Sequence, residues 1–201
     1  MPRTKETFEV MRETTRQKIE AAALPLFARK GLSVTIGDIA QAAGLSKGLL
    51  YSHYPSKDAL IAELLRQATS ISAQVIKDIA DGNGTAAEKI MKITSMMCDM
   101  LTSVDGKGID FFMFTVQVGM SGFKTPEAAA YTAELPRPIE SLARIILAGQ
   151  SEGTASDGDP MQLALIYWAA VQGLCCYAIT GMAVPFKQEI LSRIILKEEF
   201  A

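Results

Sequence analysis

Histidine is almost missing from this chain of 201 residues; His53 stands alone. Metal centres built on imidazole, and Ser/His/Asp or Cys/His catalytic sets, need that ring beside a nucleophile or a second ligand. The order of residues supplies neither, and no paired-carboxylate pattern takes their place. No enzyme, metal or cofactor is therefore expected. Cysteine is scarce and odd in number: Cys98, Cys175 and Cys176. That excludes a disulfide scaffold and points to a reducing cytoplasm. The vicinal pair Cys175-Cys176 reads first as two small buried hydrophobes, with redox sensing as the lesser alternative. The opening MPRTKETFEV has no apolar core of the kind a secretory leader carries, so none is expected. Strong net charge is also lacking, at −2.

That near-neutrality hides a split. Residues 1–60 carry nine Lys/Arg against six Asp/Glu, and residues 61–201 carry eleven against sixteen. A basic head on an acidic body suits a polyanion-binding module joined to something that need not touch the polyanion. Apolar residues make up 49% and charged ones 21%, a globular balance. A chain of this size buries roughly 70–75% of its unfolded surface and needs no staples.

Helical periodicity runs from end to end, and no strand pattern appears. The first helix shows Ile19, Ala22, Ala23, Leu26 and Phe27 on one face. Its start is open: Thr14 and Gln17 fit a capping box, while Phe8, Met11 and Thr15 extend the pattern upstream. Arg29-Lys30-Gly31 ends it. Thr35, with Asp38 three residues on, opens a second helix whose Ile36, Ile39, Ala40 and Ala43 face inward, and Gly44 supplies its left-handed stop. Ser46 caps a third helix to about Tyr54, Pro55 stops it, and Ser56 caps a long fourth helix ending near Asp81–Gly84. Thr85 and Glu88 cap a fifth helix, and Ile109–Met120 is a sixth. Thr125-Pro126 opens a seventh that Pro136 and Pro138 break or kink before it resumes through Ile146. Gly149–Gly158 is a polar loop. Asp159-Pro160 opens an eighth helix to about Thr180, and Pro185 a ninth through Ile195. The expectation is an all-α fold of about nine helices: a three-helix helix-turn-helix head, residues 1–55, and a helical body, residues 56–201.

The most informative stretch is Thr35–Tyr54, TIGDIAQAAGLSKGLLYSHY. Two short helices flank a tight turn, and the second carries small, basic and phenolic groups but no acid. Such a helix suits the DNA major groove. Thr35 sits at a helix N-terminus, where its hydroxyl and free N–H groups can hold a phosphate. Ser46, Lys47 and Gly48 begin the recognition helix, and Gly48 lets backbone approach DNA closely. Leu49 and Ser52 offer apolar or polar groove contacts. Tyr51, His53 and Lys57 serve as backbone-phosphate candidates. His53 and Lys57 read equally as ordinary surface residues, Leu50 and Tyr54 read better as core anchors of the head, and Arg3, Lys5, Arg12 and Arg16 read as phosphate contacts or a solvated arm.

Thr35–Leu60 resembles the DNA-binding domain of the tetracycline-repressor (TetR) family of transcriptional regulators. The resemblance rests on Thr35, Asp38-Ile39-Ala40, Ala43-Gly44-Leu45-Ser46-Lys47-Gly48, Leu50-Tyr51, Tyr54 and Pro55-Ser56-Lys57-Asp58-Ala59-Leu60. IEAAALPLFARKG, residues 19–31, is similar to the family's first helix. The resemblance implies a homodimeric repressor that leaves a palindromic, double-stranded operator when a small apolar effector binds its body. The alternatives are a DNA-binding regulator without a small ligand, and an activator.

Two features of the body fit that implication. Pro160–Phe186 lacks Asp, Glu, Lys and Arg and is long enough for a bilayer. Gln162, Gln172, Thr180 and the Asp159-Pro160 cap argue for a soluble helix instead, so no membrane is expected. In the resembled family the last two helices form a four-helix dimer bundle, which assigns Trp168, Val171, Leu174, Cys175 and Ile179, with Phe186, Ile190 and Ile194 of a ninth helix, to a dimer interface. Eight of ten methionines fall between residues 91 and 182, among most of the aromatics. Met and aromatic side chains line adaptable apolar pockets as well as plain cores. Met96, Met100, Phe111, Phe114, Gln117, Tyr131, Tyr167 and Gln172 are the pocket candidates.

Overall fold

Why each helix begins and ends where it does is visible in its caps. The computed structural model describes residues 5–103, 105–122, 125–134, 136–182 and 187–201, and their side chains apart from residues 5–6, 69–73, 127 and 131. Within them the protein is all-α. Helix α1 spans Lys5–Lys30, α2 Ile36–Ala43, α3 Lys47–His53, α4 Lys57–Asp81 and α5 Ala86–Thr102. They are followed by α6 Lys107–Met120, α7 Pro126–Glu134, α8 Pro136–Glu152, α9 Pro160–Ile179 and α10 Gln188–Ser192.

The expected caps close. Thr35 and Asp38 form a reciprocal capping box, as do Thr85 and Glu88. Ser46, Ser56 and Asp159 accept from Leu49, Ala59 and Gln162 N–H. Each satisfies orphan donors at a helix start. Gly44 has φ +64°. Its N–H reaches the Gln41 carbonyl, and the Leu45 N–H reaches that of Ala40. This paired closure needs a residue at home in left-handed space.

One open choice closes and three expectations change. The first helix is not opened by Thr14: α1 is already helical at Lys5, and the Thr14 hydroxyl turns back to the Val10 carbonyl. The seventh helix does not resume after Pro136. Pro136 instead starts a separate helix, α8, as suits a residue with no N–H to give. The helix count among the described residues is therefore ten rather than nine. The polar loop is shorter than expected, because α8 continues to Glu152. The last helix is only five residues long. The chain then turns, and Leu196 pairs with Ala155 in an isolated antiparallel bridge, the Ser156 N–H reaching the Ile195 carbonyl at 2.7 Å.

The core explains the layout. In the head, Ile19, Phe27, Ile39, Ala40, Leu50 and Tyr54 are buried together where α1, α2 and α3 cross. Ala40, expected at a close crossing, is buried as such. In the body, Leu64, Ile90, Ile146, Tyr167 and Ile195 join α4, α5, α8, α9 and the C-terminal turn. The most extensive pairing of all is α1 with α6, centred on Phe27 against Phe114 at 5.8 Å. Helix α1 therefore serves head and body at once.

Candidate nucleic-acid interface

The geometry of α3 follows from one buried residue. Leu50 has no exposed surface and pins the helix to the head. The opposite side then faces out: Lys47, Gly48, Leu49, Tyr51 and Ser52 are all exposed, Leu49 at 42% and Tyr51 at 50%. Nothing would crowd a Cβ at Gly48, so its outer side is open. Leu50 and Tyr54 prove to be core anchors, as their better reading had it.

Internal bonds redistribute the other roles. The Thr35 hydroxyl donates to Asp38 Oδ2 at 2.6 Å and accepts from the Asp38 N–H. Those bonds hold the Asp38 carboxyl below its usual range. What α2 offers a phosphate is therefore its first-turn N–H groups more than that hydroxyl. Lys47 folds back over this turn: a Cβ on Gly37 would lie 2.8 Å from Lys47 Cε and 3.0 Å from its Nζ. Ser46 is engaged as a cap, and the Ser52 hydroxyl bonds the Leu49 carbonyl at 2.6 Å.

Two phosphate candidates have settings of their own within the chain. Lys57 Nζ donates to the Leu32 carbonyl at 2.6 Å, fastening the start of α4 to the turn after α1. His53 is half-buried, its Nδ1 has no hydrogen bond, and burial, then the charges of Arg12 and Arg16, push its pKa down. That direction favours the neutral ring, which can still donate a hydrogen bond.

Sequence reasoning missed the bracing behind α3. The Tyr54 hydroxyl donates to Glu20, and the Arg16 guanidinium lies 5.4 Å from the Tyr54 ring centroid. Arg16 also approaches Glu63 at 3.7 Å, and Gln67 donates to Glu20 and Glu63 at 3.0 Å each. Arg16 thereby leaves the set of phosphate candidates. Spacing along the chain carries no signal for this network, because it joins α1, the end of α3 and α4.

The body candidates do not converge. Phe114 is fully buried against Phe27 in the α1–α6 seam. Gln117 lies in the same seam, 3.4 Å from where a Gly31 Cβ would stand. Gln172 points outward on α9. Met96, Met100 and Phe111 are half-buried against the core, and Tyr167 is buried with its hydroxyl on Thr94 Oγ1 at 3.1 Å. The Tyr131 side chain lies outside the described residues. A surface groove of about 730 Å³ between α4, α8 and the start of α9 was not foreseen. Lys77, Arg137, Glu140, Arg144 and Asp159 line it, and it arises where helices distant in sequence cross.

The dimer candidates are also sorted. Val171 and Cys175 are fully buried within the chain, with Ala164 and Tyr167, so they cannot form an outer face. Leu191, Ile195 and Leu196 are buried too, so that side of the C-terminal segment packs on the chain's own core. Ile190 is exposed, Trp168, Leu174, Ile179 and Ile194 are half-buried, and Phe186 lies outside the described residues. The outward stripe of α9 is instead Leu165, Ile166, Ala169, Cys176 and Tyr177, with Leu147 of α8 also exposed. Among the described residues α9 is the one helix long and apolar enough to cross a membrane by length and composition.

The capped pair of helices finds its match in known proteins. Residues 19–64 fit the model of the bacterial regulatory proteins of the tetR family. That match covers the head alone, less than a quarter of the chain. The ketosteroid-type repressor KstR2 of Mycobacterium tuberculosis is 36% identical over 69 residues, 34% of either chain. The YvaF regulator of Bacillus subtilis is 33% identical over 78 residues, 38% of this chain and 41% of that one. The chain spans less than half the length of the curated relatives it matches. The crystal structure of the MbdR regulator from Azoarcus sp. CIB superposes with a TM-score of 0.75 at 25% identity, over 90% of this chain and 96% of that one. Likeness in the head is a likeness of sequence; in the body it is one of fold.

Proposed function

We propose that this protein is a homodimeric, effector-responsive transcriptional repressor that binds a palindromic operator through α2 and α3. The observation that carries the reading is the outward face of α3. Its exposed Lys47, Gly48, Leu49 and Tyr51 are held by a buried Leu50, beside the free first-turn N–H groups of α2. Phosphate contacts from α2 and Lys47 fix register, and Leu49 and Tyr51 meet groove and backbone.

One head of this size makes few contacts, so specificity calls for two. The uncharged outer stripe of α9, with Leu147 of α8, supplies a self-complementary face for a second copy. A helix apolar on its outer side needs a cover, and the twofold pairing provides it. Effector binding in the body then shifts the dimer to a state whose heads no longer match both half-sites. A protein of similar fold, AibR, has been solved in complex with isovaleryl coenzyme A and operator DNA, which supports a fold of this kind taking both a small ligand and DNA. By linkage, operator must weaken effector binding by the same factor that effector weakens operator binding.

The test is selection of bound duplexes from a random pool, followed by a salt titration of the winner. A palindrome with half-sites one helical turn apart and a steep fall of affinity with salt supports the proposal. Enrichment of no duplex over background defeats it.

A further inference from the structure

The body contains a buried hydrogen-bond donor that nothing among the described residues satisfies. Trp168 of α9 stacks on Phe112 of α6, centroids 6.4 Å apart at 15°, and meets Tyr167 edge-on at 6.2 Å and 85°. The ring is half-buried, yet its Nε1–H is shut off from solvent and has no acceptor. Nearby polar groups are engaged elsewhere. The Tyr167 hydroxyl donates to Thr94 Oγ1, whose own hydrogen goes to the Ile90 carbonyl at 2.8 Å. Buried indole N–H groups nearly always have a partner, so an orphan calls for one.

The surroundings define what would suit that donor. Met97 of α5 and Met113 of α6 are buried in the same core, Met96 and Met100 partly so, and Cys176 Sγ of α9 lies 3.9 Å from Met113 Sδ. Thioether side chains repack easily, so this part of the core can part around a guest. It offers no counter-charge. Among the described residues the one buried charged group is Asp110. Two residues from Phe112 on a helix, it points to the opposite side of α6, toward Arg29 of α1. An ionised guest would be desolvated there without compensation.

We infer that Trp168 Nε1–H is the polar anchor of the effector site, and that the effector is an uncharged, mainly apolar molecule carrying a carbonyl or ether acceptor. This rests on the effector-responsive reading above. Phe112 and Tyr167 hold the indole plane, the methionines shape the apolar wall, and the N–H selects molecules with an acceptor at one place.

Trp168 is the single tryptophan of the chain, so one indole ¹⁵N–¹H resonance reports on the site. The full chain is titrated with cyclohexanone and with methylenecyclohexane, which differ only in C=O against C=CH2. The ketone should move the indole proton downfield and bind about tenfold tighter than the hydrocarbon, the factor carried by one net hydrogen bond. In Trp168→Phe the two probes should bind alike. An unmoved indole resonance at millimolar ketone, equal binding of the two probes, or a ketone preference kept in Trp168→Phe overturns the inference. Should that variant not fold, the wild-type probe pair decides alone. Operator release is followed in parallel. Release by the ketone without an indole shift overturns the anchor and leaves the effector reading intact. An indole shift without release upholds the anchor and defeats the effector reading.

Discussion

Two glycines four residues apart should respond to the same substitution with opposite sign. Gly44 sits at φ +64° in the turn between α2 and α3, and Gly48 sits in helical conformation on α3. A Cβ at either would have no neighbour within 4 Å, so packing drops out and backbone conformation decides. At Gly44 an L side chain meets its own carbonyl in left-handed space, at a cost of about 1–2 kcal/mol. The stiffer unfolded chain returns about 0.4–1 kcal/mol. Gly44→Ala should therefore destabilise by about 1 kcal/mol, and Gly44→Asn by less, since asparagine tolerates that region. Gly48→Ala should stabilise by about 0.5–1 kcal/mol, the helix-propensity gain over glycine. In a chain of this length each kcal/mol moves the melting temperature by about 2–4 °C, so the two alanine variants should melt on either side of the wild type. Operator affinity, measured on the same samples, should fall for both: the first misdirects α3, and the second puts a methyl group between α3 and DNA. A Gly44→Ala protein that melts at or above wild type would show that the turn is not left-handed, and the argument for how α3 is aimed would fail with it.

Other expectations follow from single contacts. Lys47→Ala should flatten the salt dependence of operator binding by about one ion, whereas Lys57→Met, which frees the Leu32 carbonyl, should lower stability by about 1 kcal/mol and leave the salt slope unchanged. Asp110 is buried, and that burial outweighs Arg29 and raises its pKa above the unfolded value. The folded state therefore holds the proton more tightly, and the stability it contributes is complete below the unfolded pKa and lost as pH rises through the folded one. Asp110→Asn should accordingly melt like wild type near pH 3 and gain on it toward pH 7, and a constant difference across that range would refute this. Ile166→Glu on the outer stripe of α9 should give a folded monomer by sedimentation with weakened operator binding, and an unchanged dimer would move the pairing face elsewhere.

The head was legible because its signals are local. Thr35 with Asp38, Gly44, Ser46 and Ser56 each act within one turn, and those are interactions that residue order encodes directly. The body was less so. Helix α9 is apolar nearly all round, so periodicity could not tell its inner stripe, Val171 and Cys175, from its outer one, Leu165 and Ile166. Ile190, Ile194 and Ile195 have helical spacing, yet pairing of Leu196 with Ala155 overrides it after Ser192. Phe114 and Gln117 share a composition with pocket residues and differ only in which neighbour, α1 rather than α5, lies opposite. Lys57 matches the resembled pattern by type and His53 reads as a surface ring, while their neighbours, Leu32 and the Arg12–Arg16 pair, are fixed by the crossing of α1 with the head. Those are properties of tertiary placement, and no local spacing records them.

Helix α1 is about 39 Å long at 1.5 Å per residue, and it lies with one flank in the head and another on α6. A cut at Pro55 would therefore not separate two modules. The excised head would carry the bare Phe27 flank of α1, and the remaining body would expose Phe114 and leave Asp110 without Arg29. Exchange of bodies between regulators of this kind has to move α6 together with α1 or re-match the surfaces between them. The boundary that matters for recombination runs along a helix, not across the chain.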